Sequence, residues 1–275
     1  MRALPGLLAL LFGTFAASAA PAQETRAGSE LITGIVHPMG AGAQSPGGLW
    51  TLHFSLEAWR GADGIIRSTR LVIQRTSHDE EVSALMDRIN ATRIISAHVR
   101  YTGEGFAELL KLVDVDLPAD DPLVVRAAEL ARPVTRQDAR FGTLTLNRAL
   151  EMWEGKAVWA GDTIDIHLEA VNEDTLVPVL ATAGALWDDQ AGWSERIQAY
   201  AVEELLEMKN DGWLDEGEAP LTPAQFLARM RLTAISNSPD GSFTFWHDDG
   251  ELFSGHTIQI MGSLREGPTY ADIAG

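Results

Sequence analysis

Apolar and polar residues alternate along the first part of the chain, which is typical of half-buried β-strands. The alternation predicts five strands, over 31–36, 50–59, 65–74, 93–101 and 106–117. Between the third and fourth strands, apolar residues recur at helical spacing behind Ser77, which predicts a helix over 77–89 with a capping box at its start. Three strands, a helix and two strands are the element order of a small β-barrel of the OB type.

The second part of the chain has strand patterns at both ends and helical periodicity between them. Strands are predicted over 142–147, 156–159, 163–170, 232–237, 242–247 and 257–264. Helices are predicted over 176–187, with Thr175 as the cap and Pro178 in the first turn, and over 194–208. A third helix is predicted from Leu221 onwards, with Thr222 and Gln225 in a capping box. Because strands flank the helices and do not alternate with them, we expect an α+β domain with an antiparallel sheet and three helices.

Prolines and composition suggest how the chain is divided. Arg2, the apolar run 7–15 and the small residues up to Ala22 form the three-part pattern of a signal peptide, so we expect residues 1–22 to be removed on export. We expect a β-rich OB-like domain over 29–117, a linker with a short helix over 118–135, and the α+β domain over 136–275. The expected location is periplasmic or secreted, with no transmembrane segment after cleavage.

Charge and cysteine content exclude several classes of function. The chain has 275 residues, 21 Lys and Arg against 39 Asp and Glu, a net charge of -18, and no cysteine. Disulfide frameworks and Cys-ligated metal sites are therefore excluded. Residues 135–275 hold 9 basic and 24 acidic side chains, whereas residues 24–134 hold 11 and 15. Nucleic acid is not an expected partner of so acidic a protein, and we interpret five arginines of the first part as solvated strand residues: Arg67, Arg70, Arg75, Arg93 and Arg100.

Several motifs of the second part resemble a known bacterial family. They are Phe141–Leu146, Trp153-Glu154-Gly155, Trp193, Asn210-Asp211-Gly212-Trp213, Leu221–Phe226 and Asp240–His256. Over about residues 136–275 the chain resembles the bacterial domain-of-unknown-function family number 2262. The resemblance implies membership of this family and implies no reaction.

The densest group of potential metal ligands lies near the end of the chain, at His247, Asp248, Asp249 and His256. Imidazole and carboxylate groups suit zinc, manganese or non-haem iron, so His247, Asp249 and His256 are candidate ligands of a divalent metal. Alternation along a strand places Asp248 on the other face. Asp249-Gly250 is also a hairpin-turn signal, and we favour turn geometry with hydrogen-bonding histidines. No cofactor is expected under this interpretation.

Two hypotheses of function follow. The favoured one is a non-catalytic binding or protein-interaction module, whose acidic second domain engages another envelope protein with a basic surface. Its candidate surface consists of Trp213, Trp246, His247, Asp248, Asp249 and His256. The alternative is a metal-dependent or other hydrolase with its site near the 242–256 hairpin, in which Ser236, Ser238 or Ser254 could also pair with a histidine.

Overall fold

Five strands in the first part of the chain form a closed ring. The computed structural model describes residues 28–45 and 47–275, and the predicted signal peptide, 1–22, lies outside them. The strands are β1 (Glu30–Gln44), β2 (Trp50–Arg60), β3 (Leu71–Ser77), β4 (Ile94–Gly103) and β5 (Phe106–Val113), with helix α1 (Asp79–Met86) between β3 and β4. They are paired in the order β1-β2-β3-β5-β4, and β1 pairs again with β4. The predicted order of three strands, a helix and two strands is confirmed.

Three details of the ring differ from the sequence prediction. Strand β1 continues to Gln44 and stays paired with β2, because register irregularities between Ile35 and Ala41 let the chain bend without leaving the sheet. Strand β3 begins only at Leu71. The predicted capping box does not form, because Ser77 still belongs to β3 and its hydroxyl donates to the Glu81 carboxylate instead.

The segment predicted as a linker contains helix α2 (Pro122–Leu130), which packs on the ring. Asp121 caps this helix by accepting a hydrogen bond from the Leu123 backbone N–H, at 2.9 Å. The same carboxylate pairs with Arg60 of β2, and this guanidinium holds the pKa of Asp121 below its usual range. Leu123 is fully buried against Ile35 and Ala58. The helix is therefore fixed to the first part of the chain by the pairing of Asp121 with Arg60, by contacts of Arg126 with Glu57 and Ser68, and by the apolar anchor Leu123.

The second part of the chain forms an eight-stranded sheet. Its strands are β6 (Thr135–Asp138), β7 (Gly142–Asn147), β8 (Met152–Trp159), β9 (Asp162–Glu169), β10 (Arg231–Asn237), β11 (Ser242–Asp248), β12 (Thr257–Ser263) and β13 (Gly267–Ala274). They are paired in the order β13-β12-β11-β10-β9-β8-β7-β6. The predicted antiparallel sheet was wrong at one place, because β9 and β10 are parallel. The edge strands β6 and β13 were not predicted.

Three helices connect β9 to β10, as many as the sequence predicts. They are α3 (Glu173–Asp188), α4 (Gln190–Gly212) and α5 (Pro223–Arg229). Helix α3 starts earlier than expected, since Asn172 caps it in a capping box with Thr175, and Pro178 consequently lies inside the helix. The expected capping box of α5, formed by Thr222 and Gln225, is confirmed. Among the described residues, no helix has both the length and the apolar composition needed to cross a membrane.

The helices cover one face of the sheet and bury alternate residues of its strands. Phe243, Phe245 and Ile258 face Trp193, Leu205 and Phe226 of the helices in one apolar cluster. Edge-to-face ring contacts reinforce it, such as Trp159 with Phe245 at a centroid distance of 5.4 Å. The intervening residues point to the opposite face, which we call the open face. None of its described side chains belongs to a hydrophobic core cluster: Glu154, Lys156, Asp165, His167, Ser236, Thr244, Trp246, Gln259, Met261, Tyr270 and Asp272.

An ionic cluster around the buried Lys209 joins the end of α4 to α5. Lys209 is 0 % exposed, and its ammonium group donates to the Trp213 carbonyl at 2.5 Å and to Glu218 Oε2 at 2.7 Å. Arg229 donates to Glu218 Oε1 at 2.9 Å and also to the carbonyls of Gly250 and Glu251. The hydrogen bond from Lys209, with further help from the Asp215 backbone N–H and Arg229, lowers the pKa of Glu218 to about 2.

We expect Glu218→Gln to lower the thermal unfolding midpoint at pH 7 and to flatten its dependence on pH. The pKa of Glu218 falls from 4.5 to about 2 on folding, so its stabilisation is complete above pH 4.5 and is lost as the pH falls towards 2. Lys209→Met should destabilise less than Glu218→Gln, because it removes the buried ammonium group instead of leaving it unpaired. Thermal melts between pH 2 and pH 7 test this. Identical pH profiles for the wild type and Glu218→Gln would contradict it.

Candidate functional site

The carboxylate of Asp249 organises the loop between β11 and β12. Asp249 is 3 % exposed. It accepts backbone N–H hydrogen bonds from Glu251 at 3.1 Å, Phe253 at 2.7 Å and Gly255 at 3.1 Å. The predicted two-residue hairpin turn at Asp249-Gly250 was therefore wrong, since the strands are joined by the eight-residue loop 249–256. The loop therefore folds around the buried Asp249 carboxylate, which accepts hydrogen bonds from three of the loop's own backbone N–H groups.

Gly250 lies where this loop comes closest to α5. Its φ is +54°, and a Cβ placed on it would lie 2.4 Å from the Arg229 carbonyl oxygen. Both the left-handed backbone and the lack of space require glycine here. The Asp-Gly sequence is thus explained both by packing against Arg229 and by a tight turn over 249–252, in which the Leu252 N–H donates to the Asp249 carbonyl oxygen at 3.1 Å.

His256 and Trp213 contribute to the structure of the same loop. The His256 Nδ1 atom donates to the Phe253 carbonyl oxygen within the loop. Trp213 lies edge-to-face against Phe253 and against the His256 ring, both at a centroid distance of 5.6 Å. These two candidate residues hold the loop against the end of α4. Asp248 is exposed, accepts a hydrogen bond from the Gly250 N–H at 3.0 Å and pairs with Arg231 at 3.1 Å.

His247 lies apart from the other candidate metal ligands, beneath the helices. It belongs to the buried face of β11 and is 5 % exposed. Its Nδ1 atom is buried and has no hydrogen-bond partner in the described residues. Burial lowers the pKa of His247 to about 4, against a smaller opposing effect of the Phe245 and Ile258 backbone. The imidazole is therefore neutral at pH 7.

These positions do not form a metal centre. The Asp249 carboxylate is occupied by three backbone N–H groups, His256 is bonded to its own loop, and His247 is alone beneath the helices. In the part of the chain that the structure describes, no group of three or more His, Asp or Glu side chains could hold a metal ion.

Trp246 points to the open face and joins a short hydrogen-bond chain there. Its indole Nε1 donates to Ser236 Oγ at 2.8 Å, and Ser236 Oγ lies 3.3 Å from His167 Nδ1. Ser236 and His167 are thus a serine and histidine pair of the kind considered from the sequence. Their geometry differs from a catalytic triad, because among the described residues no carboxylate forms an ion pair with His167.

Two features of the structure were not predicted from the sequence. One is a cavity of about 210 Å³ between α4, α5 and the sheet, which His247 lines together with Trp159, Ser194, Leu227 and Phe245. The other is the open face itself, which unites residues from six strands. Neither could be found without knowing that β9 and β10 are neighbours.

Most of the arginines of the ring are neutralised by carboxylates. The pairs are Arg67 with Asp63, Arg70 with Glu151, Arg75 with Glu81 and Arg100 with Glu108. Ion pairs of this kind leave little net positive charge on the strand surfaces. Arg75 and Arg100 lie in β3 and β4, as interpreted from the sequence, whereas the strand interpretation was wrong for Arg67, Arg70 and Arg93, which lie in the connections before β3 and β4.

The second part of the chain thus has an α+β structure with one mixed sheet and three helices on one face. The carboxylates of Glu218 and Asp249 accept hydrogen bonds from the backbone of its loops. Residues 138–273 match a family described as an uncharacterized protein conserved in bacteria (DUF2262), and this part of the chain belongs to that family. The resemblance noted in the sequence is confirmed. No curated protein and no solved structure matches the chain.

Asp249→Ala should destabilise the protein by about 3 kcal/mol, because three backbone N–H groups around a buried carboxylate lose their acceptor. The neighbouring Asp248→Ala is the matched control. It should cost about 1 kcal/mol, since it removes an exposed ion pair and one hydrogen bond from the Gly250 N–H. Urea unfolding of both variants at pH 7 provides the comparison. Equal losses of unfolding free energy in the two variants would show that the loop does not depend on Asp249.

Proposed function

We propose that the protein is a non-catalytic binding module of the bacterial envelope, whose second domain engages a basic segment of another protein. The observation that carries this proposal is the open face. It presents the half-buried Trp246 and Met261 and the exposed Tyr270 on the neighbouring strands β11, β12 and β13, with the carboxylate of Asp272 beside them. Apolar side chains rimmed by polar groups are typical of interaction sites.

A row of directly paired residues crosses the open face from strand to strand. Register pairs link Glu154 to His167, His167 to Ser236, Ser236 to Thr244, Thr244 to Met261, and Met261 to Tyr270. Tyr270 is 55 % exposed. A tyrosine, a methionine and the neighbouring Trp246 together supply the kind of side chains that anchor protein interfaces.

Charge on the same face favours a basic partner. A second row pairs Lys156 with Asp165, and across the sheet Trp246 with Gln259 and Gln259 with Asp272. Lys156 is neutralised by Asp165 at 2.5 Å. Residues 135–275 carry 24 acidic side chains against 9 basic ones. A lysine- or arginine-rich segment would be attracted to this domain and oriented by it.

The hydrolase alternative has less support. The acidic and histidine side chains of the 242–256 hairpin are engaged in loop hydrogen bonds or are separated by the sheet. Ser236 is 7 % exposed and its oxygen already accepts the Trp246 N–H. A nucleophile needs access to its substrate and a base oriented by a third group.

We propose an OB-type barrel for the first domain, residues 29–117. The order β1-β2-β3-β5-β4 with a helix between β3 and β4 supports it. Export to the periplasm, or secretion, is proposed on the signal-peptide pattern of residues 1–22. Both features suit an envelope protein that presents its acidic domain to a partner.

We also propose that residues 136–275 fold independently. Helix α2 packs on the ring, so a fragment that starts after Leu130 should keep the second core complete. The fragment 132–275 should unfold in one cooperative thermal transition. A fragment without a cooperative transition would contradict this division into domains.

Photo-crosslinking from two positions tests the proposed partner surface. A photoreactive residue at Gln259, on the open face, should give a crosslink to a basic envelope protein in living cells. The same residue at Val177, which is 61 % exposed on α3, is the control and should not give that product. Trp246→Ala should reduce the product at least about fivefold, because central aromatic residues carry much of the binding energy.

The surface charge of the crosslinked protein decides whether the proposed partner class is correct. Identification of a partner with a basic surface, whose crosslink weakens at about 0.5 M salt, would support the proposal. An acidic partner, an equal product from Val177, or no specific product from Gln259 would overturn it. The thermal midpoint of Trp246→Ala must match the wild type within a few degrees, and Asp272→Asn provides a second open-face variant.

A further inference from the structure

Strand β13 forms one edge of the eight-stranded sheet. It pairs with β12 along one side, and no strand of the described residues pairs with its other side. An unpaired edge presents a row of backbone N–H and C=O groups to any extended chain that approaches it. The opposite edge strand, β6, has four residues, and short edge strands limit such pairing. With eight residues, β13 is long enough to accept another strand.

The packing around β13 leaves it partly exposed on both faces of the sheet. Its register with β12 is regular over 270–274, beyond an irregularity nearer its start. On the side of the helices, Ala271 and Ile273 pack against the same apolar cluster as Tyr200 of α4. Both nevertheless remain partly exposed, and Tyr270 on the open face is 55 % exposed. Helix α4 therefore packs against β13 without burying it.

Carboxylates lie on both sides of this edge. Asp272 is exposed on the open face. On the other side, Tyr200 lies close to Glu204 and Glu203, since burial and then these two charges raise the pKa of its hydroxyl group. Both glutamates are exposed. An extended chain added beside β13 would therefore meet negative charge on each of its two faces.

The same charges favour a basic chain over a second copy of this protein. Residues 135–275 carry 24 acidic side chains against 9 basic ones, so two copies placed edge to edge would repel each other. Arg265, the cation nearest to β13 in the sequence, is paired with Glu266 at 2.9 Å and does not offset this repulsion. Lysine or arginine side chains opposite Asp272 would instead form favourable cross-strand pairs.

We propose that β13 accepts an extended lysine- or arginine-rich segment of the partner protein as a ninth strand of the sheet. Backbone hydrogen bonds along 270–274 supply affinity, and a basic side chain opposite Asp272 supplies selectivity. The inference rests on the proposed function for the class of partner, and it adds how that partner is held. Because Gln259 and Asp272 are register partners, a strand added at β13 also lies beside the open face.

Backbone methylation of a synthetic peptide separates strand pairing from ionic attraction. The parent peptide alternates lysine or arginine with valine over about eight residues. Methylation of every second N–H leaves one edge free to pair, so at least one of the two half-methylated peptides should bind the mature protein within about threefold of the parent. Methylation of all N–H groups should weaken binding at least about tenfold. Equal binding of the parent and the fully methylated peptide would overturn the proposal.

Hydrogen exchange locates the bound peptide on the protein. In the free protein, only every second amide of 270–274 can pair with β12, so the alternate amides should exchange fast. The parent peptide at saturation should slow these amides at least about tenfold and leave those of β6 unchanged. Unchanged rates in 270–274 would contradict the proposal. Slow exchange of all these amides in the free protein would also contradict it, because a second copy or another segment would already occupy the edge.

Two variants with the same change of charge test the selectivity. Asp272→Lys should weaken binding of the parent peptide at least about fivefold, because it places like charges opposite each other. Glu104→Lys, on the exposed turn between β4 and β5, is the matched control and should change binding less than about twofold. Equal weakening in both variants, with unchanged thermal midpoints, would show that only the overall charge matters and would overturn the proposal.

Failure of this inference can be told apart from failure of the proposed function. The peptide experiments use purified protein, whereas crosslinking at Gln259 uses the partner in living cells. Absence of strand pairing at β13 together with a crosslink from Gln259 to a basic protein would reject the ninth strand and leave the open-face proposal standing.

Discussion

The pairing of Lys209 with Glu218 is the interaction on which much of the second domain depends. An ammonium group buried inside a protein is costly unless a carboxylate lies beside it, and Glu218 reaches Lys209 from the loop that follows α4. The same carboxylate holds Arg229 at the end of α5, and Arg229 in turn holds the carbonyls of Gly250 and Glu251. One charge pair therefore positions α5 and the 249–256 loop together. Because α5 forms one wall of the cavity beside His247, the shape of the cavity depends on this pair as well.

The single parallel pair in the sheet explains why one face stays open. Two parallel neighbours cannot be joined by a tight turn, so the chain must cross over from one end of β9 to the opposite end of β10. All three helices of the domain lie in that crossover and pack on the same face. The remaining connections between strands are short and leave no element to cover the other side. The topology thus gives one face that the helices cover and one uncovered face of polar and aromatic side chains.

The sequence predicts features that depend on neighbouring residues, and it does not predict those that depend on contacts between distant segments of the chain. The strand alternation of 242–247 and the capping box of Thr222 and Gln225 follow from neighbours in the chain. The parallel pairing of β9 and β10 depends on helices that intervene over sixty residues, and alternation carries no information about it. The Asp249-Gly250 pair forms a turn, as expected, but this turn does not join the two strands directly, for a similar reason. Its glycine is required by the Arg229 carbonyl, which comes from another element.

The cluster of histidines and aspartates near the end of the chain illustrates how proximity in sequence differs from proximity in chemistry. Alternation along β11 sends Trp246 and His247 to opposite sides of the sheet, and the loop draws Asp249 into hydrogen bonds with its own backbone. A group already satisfied by the fold has little left to offer a ligand. The His247 Nδ1 atom, which has no hydrogen-bond partner among the described residues, lies on one side of the sheet, and the half-buried Trp246 ring lies on the other. Because the backbone of β11 separates them, a group that contacts Trp246 on one side of the sheet has no access to His247 on the other.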